Sequence, residues 1–471
     1  MLLLYPDIVS EASARRISPR KLWLRPKVRG LRVARKNGDR MHPNFTNVIF
    51  KIIGNRKLFL FCVLLVIVLP AMTFVGCAGD AGAEEAETAY MSAEQRPVAE
   101  VIWDNLKKLR FPVVYRAVYE NAARTERPGS LEIMHKIVAG LGEAGYAAVD
   151  SRNQVDMVNP EMVLQFCETV EAGETGTVTI IVPDYAGGLV QYDLRTSKGA
   201  VDVVRRYAQY EKGFLRNRSA AAYPADVWQY TEEGYLLFGG TYGMAESYVL
   251  VMDDEPDHAA LRVAPLDETC RELNRQYILP VGYRQNNLFL TDWSEDDFSD
   301  LDFYDLFDRM YADATGYESP YVMARNPNAG IVYSVPEKEF EVVIMRHFKI
   351  EQDVLRSRTF YAASEKAYEY RPRGFYETGY SDIPYPEVVG YEEKADGTIE
   401  MTVNAVYPYE NKAKAFTHKV VVRPLQDGSF QYVSNRIVTP EEDCDTWWHT
   451  GRLTMEEWKA FYGVGERERS E

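Results

Sequence analysis

The sequence predicts an α+β protein: N-terminal helices beside an antiparallel β-meander, then a C-terminal helix with a four-stranded antiparallel sheet. Three observations carry that expectation. Apolar residues recur at helical spacing ahead of each half, the pattern then switches to alternation, and Gly-containing turn dipeptides join the alternating runs. Helices followed by hairpins place the helices on one side of an antiparallel sheet.

In chain order, Ser92 and Gln95 stand at capping-box spacing before Val98, Ile102, Leu106 and Leu109, which share a helical face. A second helix starts at Ser130, with Leu131, Met134, Ile137 and Leu141 on one stripe and Gly142 and Gly145 at its end. Pro160 suits the first turn of a third, which carries Met162, Phe166 and Val170. Residues 177–182 and 189–194 then alternate around Ala186-Gly187-Gly188, a hairpin signal, and 201–210 read as a further strand. A second hairpin joins 227–231 to 235–238 around Glu233-Gly234. Gly239-Gly240-Thr241-Tyr242-Gly243 reads as a turn, because no helix follows to make it a phosphate loop. These elements form an α+β domain over 92–252.

Residues 253–330 read as an irregular connector. Asp253, Asp254, Glu255, Asp257 and His258 make an acidic turn, and Ser294-Glu295-Asp296-Asp297 opens an amphipathic helix carrying Phe298, Leu301, Asp305, Leu306 and Met310. The C-terminal α+β domain spans 331–471. Pro336 opens a helix with Phe340, Val343, Ile344, His347 and Phe348 on one stripe. Residues 388–392 pair with 398–406 across Asp396-Gly397, and 416–423 with 430–438 across Asp427-Gly428. One helix before four strands is the layout of cystatin-like and NTF2-like folds, an analogy that brings no function. Thr454 and Glu457 cap a last helix holding Trp458 and Phe461, and Gly463 stops it.

Ahead of all this lies an export signal. Residues 58–69 are an unbroken apolar run, preceded by Arg56 and Lys57 and followed by Pro70 and the small-residue exit Val75-Gly76-Cys77. Basic flank, short apolar core and cleavage-like exit are the parts of a secretory signal. A run of 12 residues falls short of the about 20 that a spanning helix needs. An uncleaved anchor is the alternative, since no charge appears from Leu58 through Gly79. Residues 1–40 hold most of the leader's basic charge far from that core and read as a mis-called upstream extension. Translation from Met41 leaves a normal signal over 41–76. The small, acidic stretch 77–91 is a flexible tether.

Removing the 14 basic and 3 acidic residues of 1–76 from totals of 54 and 70 leaves 40 against 67. So acidic a body repels nucleic acid and anionic lipid, which excludes nucleic acid as a partner. Cys167, Cys270 and Cys444 show no metal or redox spacing; one disulfide among them and three free thiols are both open. The acidic run Asp292, Glu295, Asp296, Asp297, Asp300 and Asp302 lacks the glycine and alternation of a calcium loop and suits a helix's first turn. No metal, cofactor or catalytic residue is assigned. His135 and His347 sit on helical stripes as packed rings, and His258, His418 and His449 lack partners at ligand spacing. Aromatics reach 13% of the chain, and Trp447, Trp448, Tyr380 and Tyr385, with His449, Tyr370 and Tyr376, are the residues that would line a ligand groove.

At Val75-Gly76-Cys77, and more loosely over Ile383-Pro384-Tyr385-Pro386 and the Asp-Gly hairpins of 388–438, the chain resembles uncharacterised surface lipoproteins of Gram-positive, Clostridia-type anaerobes. The resemblance implies cleavage between Gly76 and Cys77, lipidation of Cys77 and an outward-facing place on the cell membrane, with membrane lipid as a partner. It implies no activity. The expected function is an extracytoplasmic binding or structural protein of the envelope, with a protein or glycan ligand; the alternative is an envelope hydrolase with dispersed catalytic residues.

Overall fold

The computed structural model describes residues 129–463, apart from 212–213, 243–254, 299, 322–329, 441–442 and 445, together with the strand residues 467–468. The upstream extension, the signal with Cys62 and Gly76, the proposed anchor Cys77, the tether and the helix expected after Ser92 lie outside the described residues. The fold is α+β, with seven helices and several largely antiparallel sheets among the described residues.

α1 (Leu131–Glu143) begins where the Ser130 side chain accepts a hydrogen bond from the Ile133 amide at 3.3 Å, and it buries Met134, Ile137 and Leu141. After β1 (Ala147–Ala148), α2 (Pro160–Glu171) opens on Asn159 in a left-handed conformation. The Asn159 amide donates to the carbonyls of Gly142 and Tyr146 at 3.0 and 2.8 Å, which fixes one helix against the other. β2 (Gly176–Pro183), β3 (Gly188–Ser197), β4 (Ala200–Glu211) and β5 (Phe214–Pro224) form an antiparallel meander, with β1 parallel at its edge. A second sheet, β6 (Val227–Tyr230), β7 (Tyr235–Tyr242) and β8 (Glu255–Arg262), closes over the same core. Val163, Phe166 and Val170 pack there with Ile180, Leu194, Phe238 and Leu261.

One strand goes unforeseen in this half, and two expectations change. Phe214–Pro224, rich in Arg, Asn and Ala, is a full strand paired along β4. Asp257 and His258 lie in strand β8 rather than in an acidic turn. The glycine pair belongs to β7, not to a turn. A Cβ at Gly240 would stand 2.4 Å from the Pro224 carbonyl oxygen and 2.7 Å from Tyr223 Cδ2, so glycine here allows β7 to cross β5 at close range.

Residues beyond Leu266 supply helices to the second core. α3 (Glu268–Leu273) runs into a single π turn, Asn274–Ile278. The helix expected from Ser294 starts eight residues later: α4 (Phe303–Thr315) is capped by Asp302, whose carboxylate accepts from the Tyr304 and Asp305 amides at 2.9 and 3.1 Å. Trp293–Ser294 is instead a short strand, β9, and 294–297 close a tight turn. α5 (Glu337–His347) follows β10 (Val332–Pro336), as the Pro336 signal predicts. α6 (Gln352–Ser357), β11 (Tyr361–Ala362) and β12 (Ala367–Tyr370) come next, and β17 (Arg467–Glu468) completes the order β11-β12-β10-β17.

The main sheet holds both Asp-Gly hairpins at the expected turns: β13 (Tyr385–Glu393), β14 (Ile399–Tyr407), β15 (Lys412–Pro424) and β16 (Phe430–Ile437). β9 adds a fifth strand beside β16. The sheet packs on α4 and α5 through Phe307, Phe340, Val403, Val420 and Tyr432, within one core that draws on residues 270–321 as well as 335–448. α7 (Met455–Tyr462) carries the expected capping box, Thr454 with Glu457. No helix among the described residues is long and apolar enough to cross a membrane. No disulfide joins Cys167, Cys270 and Cys444 to one another.

A buried polar knot joins the two sheet systems. Glu387 on β13 accepts from Tyr235 Oη at 2.7 Å and from Arg262 Nη1 at 2.6 Å. Asn153 donates to Tyr385 Oη at 2.9 Å and to the Ala260 carbonyl at 3.2 Å.

Candidate functional site

Four segments distant in sequence meet beside that joint. They are Asp257 and His258 of β8, the loop 378–384 leading into β13, the 3-10 turn Pro408–Glu410 between β14 and β15, and residues 447–450 ahead of α7. Pro408 sets the first dihedral of its turn, and Asn411 closes it in a left-handed conformation at φ +53°. This presents Tyr409 outward. Its ring lies 5.1 Å from His258 and 6.5 Å from Trp447, and Trp447 meets Tyr380 at 5.0 Å with planes at 76°. Tyr380, Tyr409 and Trp447 are exposed by 40, 42 and 44%, so a strip of aromatic surface is open to solvent. The Trp447 indole N–H is held by Glu410 at 2.6 Å, and Lys412 grips the same carboxylate.

Two pockets flank the strip. The smaller, about 70 Å³, is lined by Arg284, Gln285, Tyr380, Trp448, His449 and Thr450 among others. The larger, about 370 Å³, is lined by Asp257, His258, Ser381, Asp382 and Tyr409; Ile383 borders both. Each pocket is lined by a residue that carries a buried polar atom with no hydrogen-bond partner: Trp448 Nε1 at the small one, His258 Nδ1 at the large one. Asn411 Oδ1, next to His258, is a third. Both the His258 and Asn411 atoms lie within about 3 Å of where a Cβ on Gly239 would sit, at 3.1 and 3.2 Å, so this glycine keeps the wall open. Buried polar groups normally find partners, and those that do not point to an unseen water, ion or ligand.

The small pocket's wall is tied to a dense ionic lattice. Asp305 on α4 accepts from Arg373 Nε and Nη2 at 2.8 and 2.6 Å and from Arg452 Nη2 at 2.7 Å. Arg373 donates in turn to the Thr450 carbonyl at 2.8 Å. Glu377, 1% exposed, takes the Gly374 and Leu453 amides on its two oxygens, both at 3.0 Å. Burial works against the Arg452 charge, but Asp305, Asp302 and Asp308 outweigh it and hold the guanidinium charged. Burial lifts the Asp308 carboxyl to about 6, against the pull of Arg452 and Tyr370. Burial and then Arg373 push His449 below its ordinary range, which leaves its ring neutral. Beneath the pocket, His418 bonds Tyr283 Oη at 2.9 Å and Asn435 Oδ1 at 2.7 Å, and burial lowers it to about 4. It is a packed core ring.

Of the residues expected in a groove, Trp447, Trp448, His449 and Tyr380 come together. Tyr385 does not: it points into the joint, where Asn153 holds it. Tyr370 is buried against Asp308, and Tyr376 stacks on Phe461 at 4.6 Å. Asp257, His258, Asp382, Arg284 and Tyr409 were not among the expected groove residues. Tyr409 carried the one local signal, an aromatic beside a proline in a strand-to-strand turn. Contrary to expectation His135 is exposed on α1, while His347 is packed and bonds Asp313 at 2.9 Å. The acidic run serves separate local roles, with Glu295 gripping Arg423 at 2.5 Å and Asp302 capping α4.

No curated protein and no solved structure matches the chain. The sequence does match DUF6070, a family of unknown function, across residues 110–452, from before α1 to the Arg452 that completes the ionic lattice. The chain belongs to that family.

Proposed function

We propose that this protein is a membrane-anchored extracytoplasmic binding protein of the Gram-positive lipoprotein type, moored through lipid on Cys77, and that its ligand fills the groove between Tyr380 and His258. One observation carries the binding reading: a strip of exposed rings runs between two pockets, each lined by a residue that carries a buried polar atom without a partner. A ligand that fills the pockets covers the rings and sits against the residues that carry those atoms. The signal-like run 58–69 and the exit at Gly76-Cys77 support the mooring. Mass spectrometry of the native N-terminal peptide tests it: a chain beginning at Cys77 with acyl groups is expected, and an intact leader or an unmodified thiol would overturn it. A hydrolase is the second reading, favoured by Asp257, His258 and Asp382 lining one cavity. Covalent labelling there by a glycosidase- or serine-directed probe would put it first.

A further inference from the structure

The two ends of the groove differ in charge. The residues lining the small pocket include Arg284, the Gln285 amide and the Thr378 and Thr450 hydroxyls, and no carboxylate. The orphaned Trp448 indole N–H is a pure donor, so whatever completes it must be an acceptor. The neutral His449 adds no charge. The lining of the large pocket is the reverse: Asp257 and Asp382 with no Lys or Arg, beside the unpartnered acceptor Asn411 Oδ1 and a His258 nitrogen. Asp257 is itself positioned by Tyr223 Oη and by Arg205 at 3.5 Å. Between the pockets stand Ile383 and the angled rings of Tyr380, Trp447 and Tyr409. Rings set at 76° form the corner of a box and not the flat, coplanar platform that suits a sugar face.

Resting on the binding reading above, we infer that the ligand is a short zwitterionic peptide, its carboxylate in the small pocket at Arg284 and Trp448 and its ammonium in the large one at Asp257 and Asp382. Length agrees. The ring centroids step by 5.0 Å from Tyr380 to Trp447 and 6.5 Å on to Tyr409. An extended chain advances about 3.5 Å per residue, so three or four residues bridge the pockets. Side chains in the middle meet aromatic faces, one charged end meets the exposed Arg284, which also donates to the Ser381 carbonyl at 3.4 Å, and the other meets Asp257 and Asp382. A guanidinium–carboxylate pair adds direction to that fit.

The test is calorimetric titration of the full-length, detergent-solubilised protein with four probes: the tripeptide Ala-Leu-Ala with free ends, its N-acetyl form, its C-terminal amide, and the neutral sugar chitotriose. The free peptide is expected to bind, and each blocked form to bind at least tenfold more weakly, the loss of one charged hydrogen bond. Arg284 and Asp382 are exposed, so Arg284→Gln and Asp382→Asn leave the fold intact. Arg284→Gln removes the penalty of amidation alone, and Asp382→Asn that of acetylation alone. Equal binding of free and blocked peptides, or tighter binding of chitotriose, overturns the zwitterionic assignment and leaves the groove standing. Failure of all four probes, with Trp447 fluorescence unmoved, overturns both.

Discussion

Around Asp305 both carboxylate oxygens take guanidinium N–H groups from Arg373 and Arg452, and the cluster is sealed from water. Around Trp447 the rings are open to solvent, and nearby Trp448, His258 and Asn411 each leave a buried polar atom unmatched. Both regions gather aromatic and ionisable side chains, and composition alone would rank them equally as sites. What separates them is access: the Asp305 oxygens are taken and buried, while the rings at Trp447 stand open, although Arg452 Nε in the lattice is itself without a hydrogen bond. A buried carboxylate whose oxygens are all occupied has nothing left for a ligand, whereas exposed rings can still be covered by one. The lattice is the frame, and the groove is what it frames: Arg373 and Glu377 hold the Thr450 carbonyl and Leu453 amide that set the backbone of the small pocket.

Asp305→Ala tests this contrast most severely. It strips two buried guanidinium groups of their acceptor, and loss of about 3–5 kcal/mol in urea unfolding is expected. A loss under 1 kcal/mol would mean that the lattice is not the frame. Asp308→Asn comes next. The Asp308 carboxyl sits at about 6 in the folded protein, above the roughly 4 of an unfolded chain. The folded state therefore prefers the protonated form, and its contribution to stability is present below pH 4 and lost as pH rises to 6. The Asn variant is expected to be more stable than the parent by on the order of 2 kcal/mol at pH 7 and equal to it at pH 4. A gain at both pH values would show that titration is not its source. Trp447→Ala has the smallest effect on folding, under about 1 kcal/mol for a half-exposed ring. It should nevertheless weaken tripeptide binding at least tenfold, and a variant that binds normally would remove the strip from the site.

Much of the fold was legible where local chemistry decides it. Ser130, Pro160, Pro336 and Thr454 mark real helix starts, and the Asp-Gly turns at 396 and 427 set the main hairpins. Where distant partners decide, local pattern failed. Phe214–Pro224 has weak strand propensity and is a strand because β4 supplies a ladder for most of its length. Ser294-Glu295-Asp296-Asp297 imitates a helix start, but the cap that works is Asp302, eight residues on. The groove was half readable. Trp447, Trp448 and Tyr380 stood out as aromatics, yet Tyr385 is drawn into the joint by Asn153, a partner far away in sequence. His258 reaches the site only because β8 pairs with β7 and brings it against the turn at Tyr409.

The three cysteines of the body, Cys167, Cys270 and Cys444, carry one more consequence. With all of them unjoined, none of the fold's stability among the described residues comes from a covalent cross-link. Melting curves with and without dithiothreitol are therefore expected to superpose, and a shift between them would reveal a cross-link.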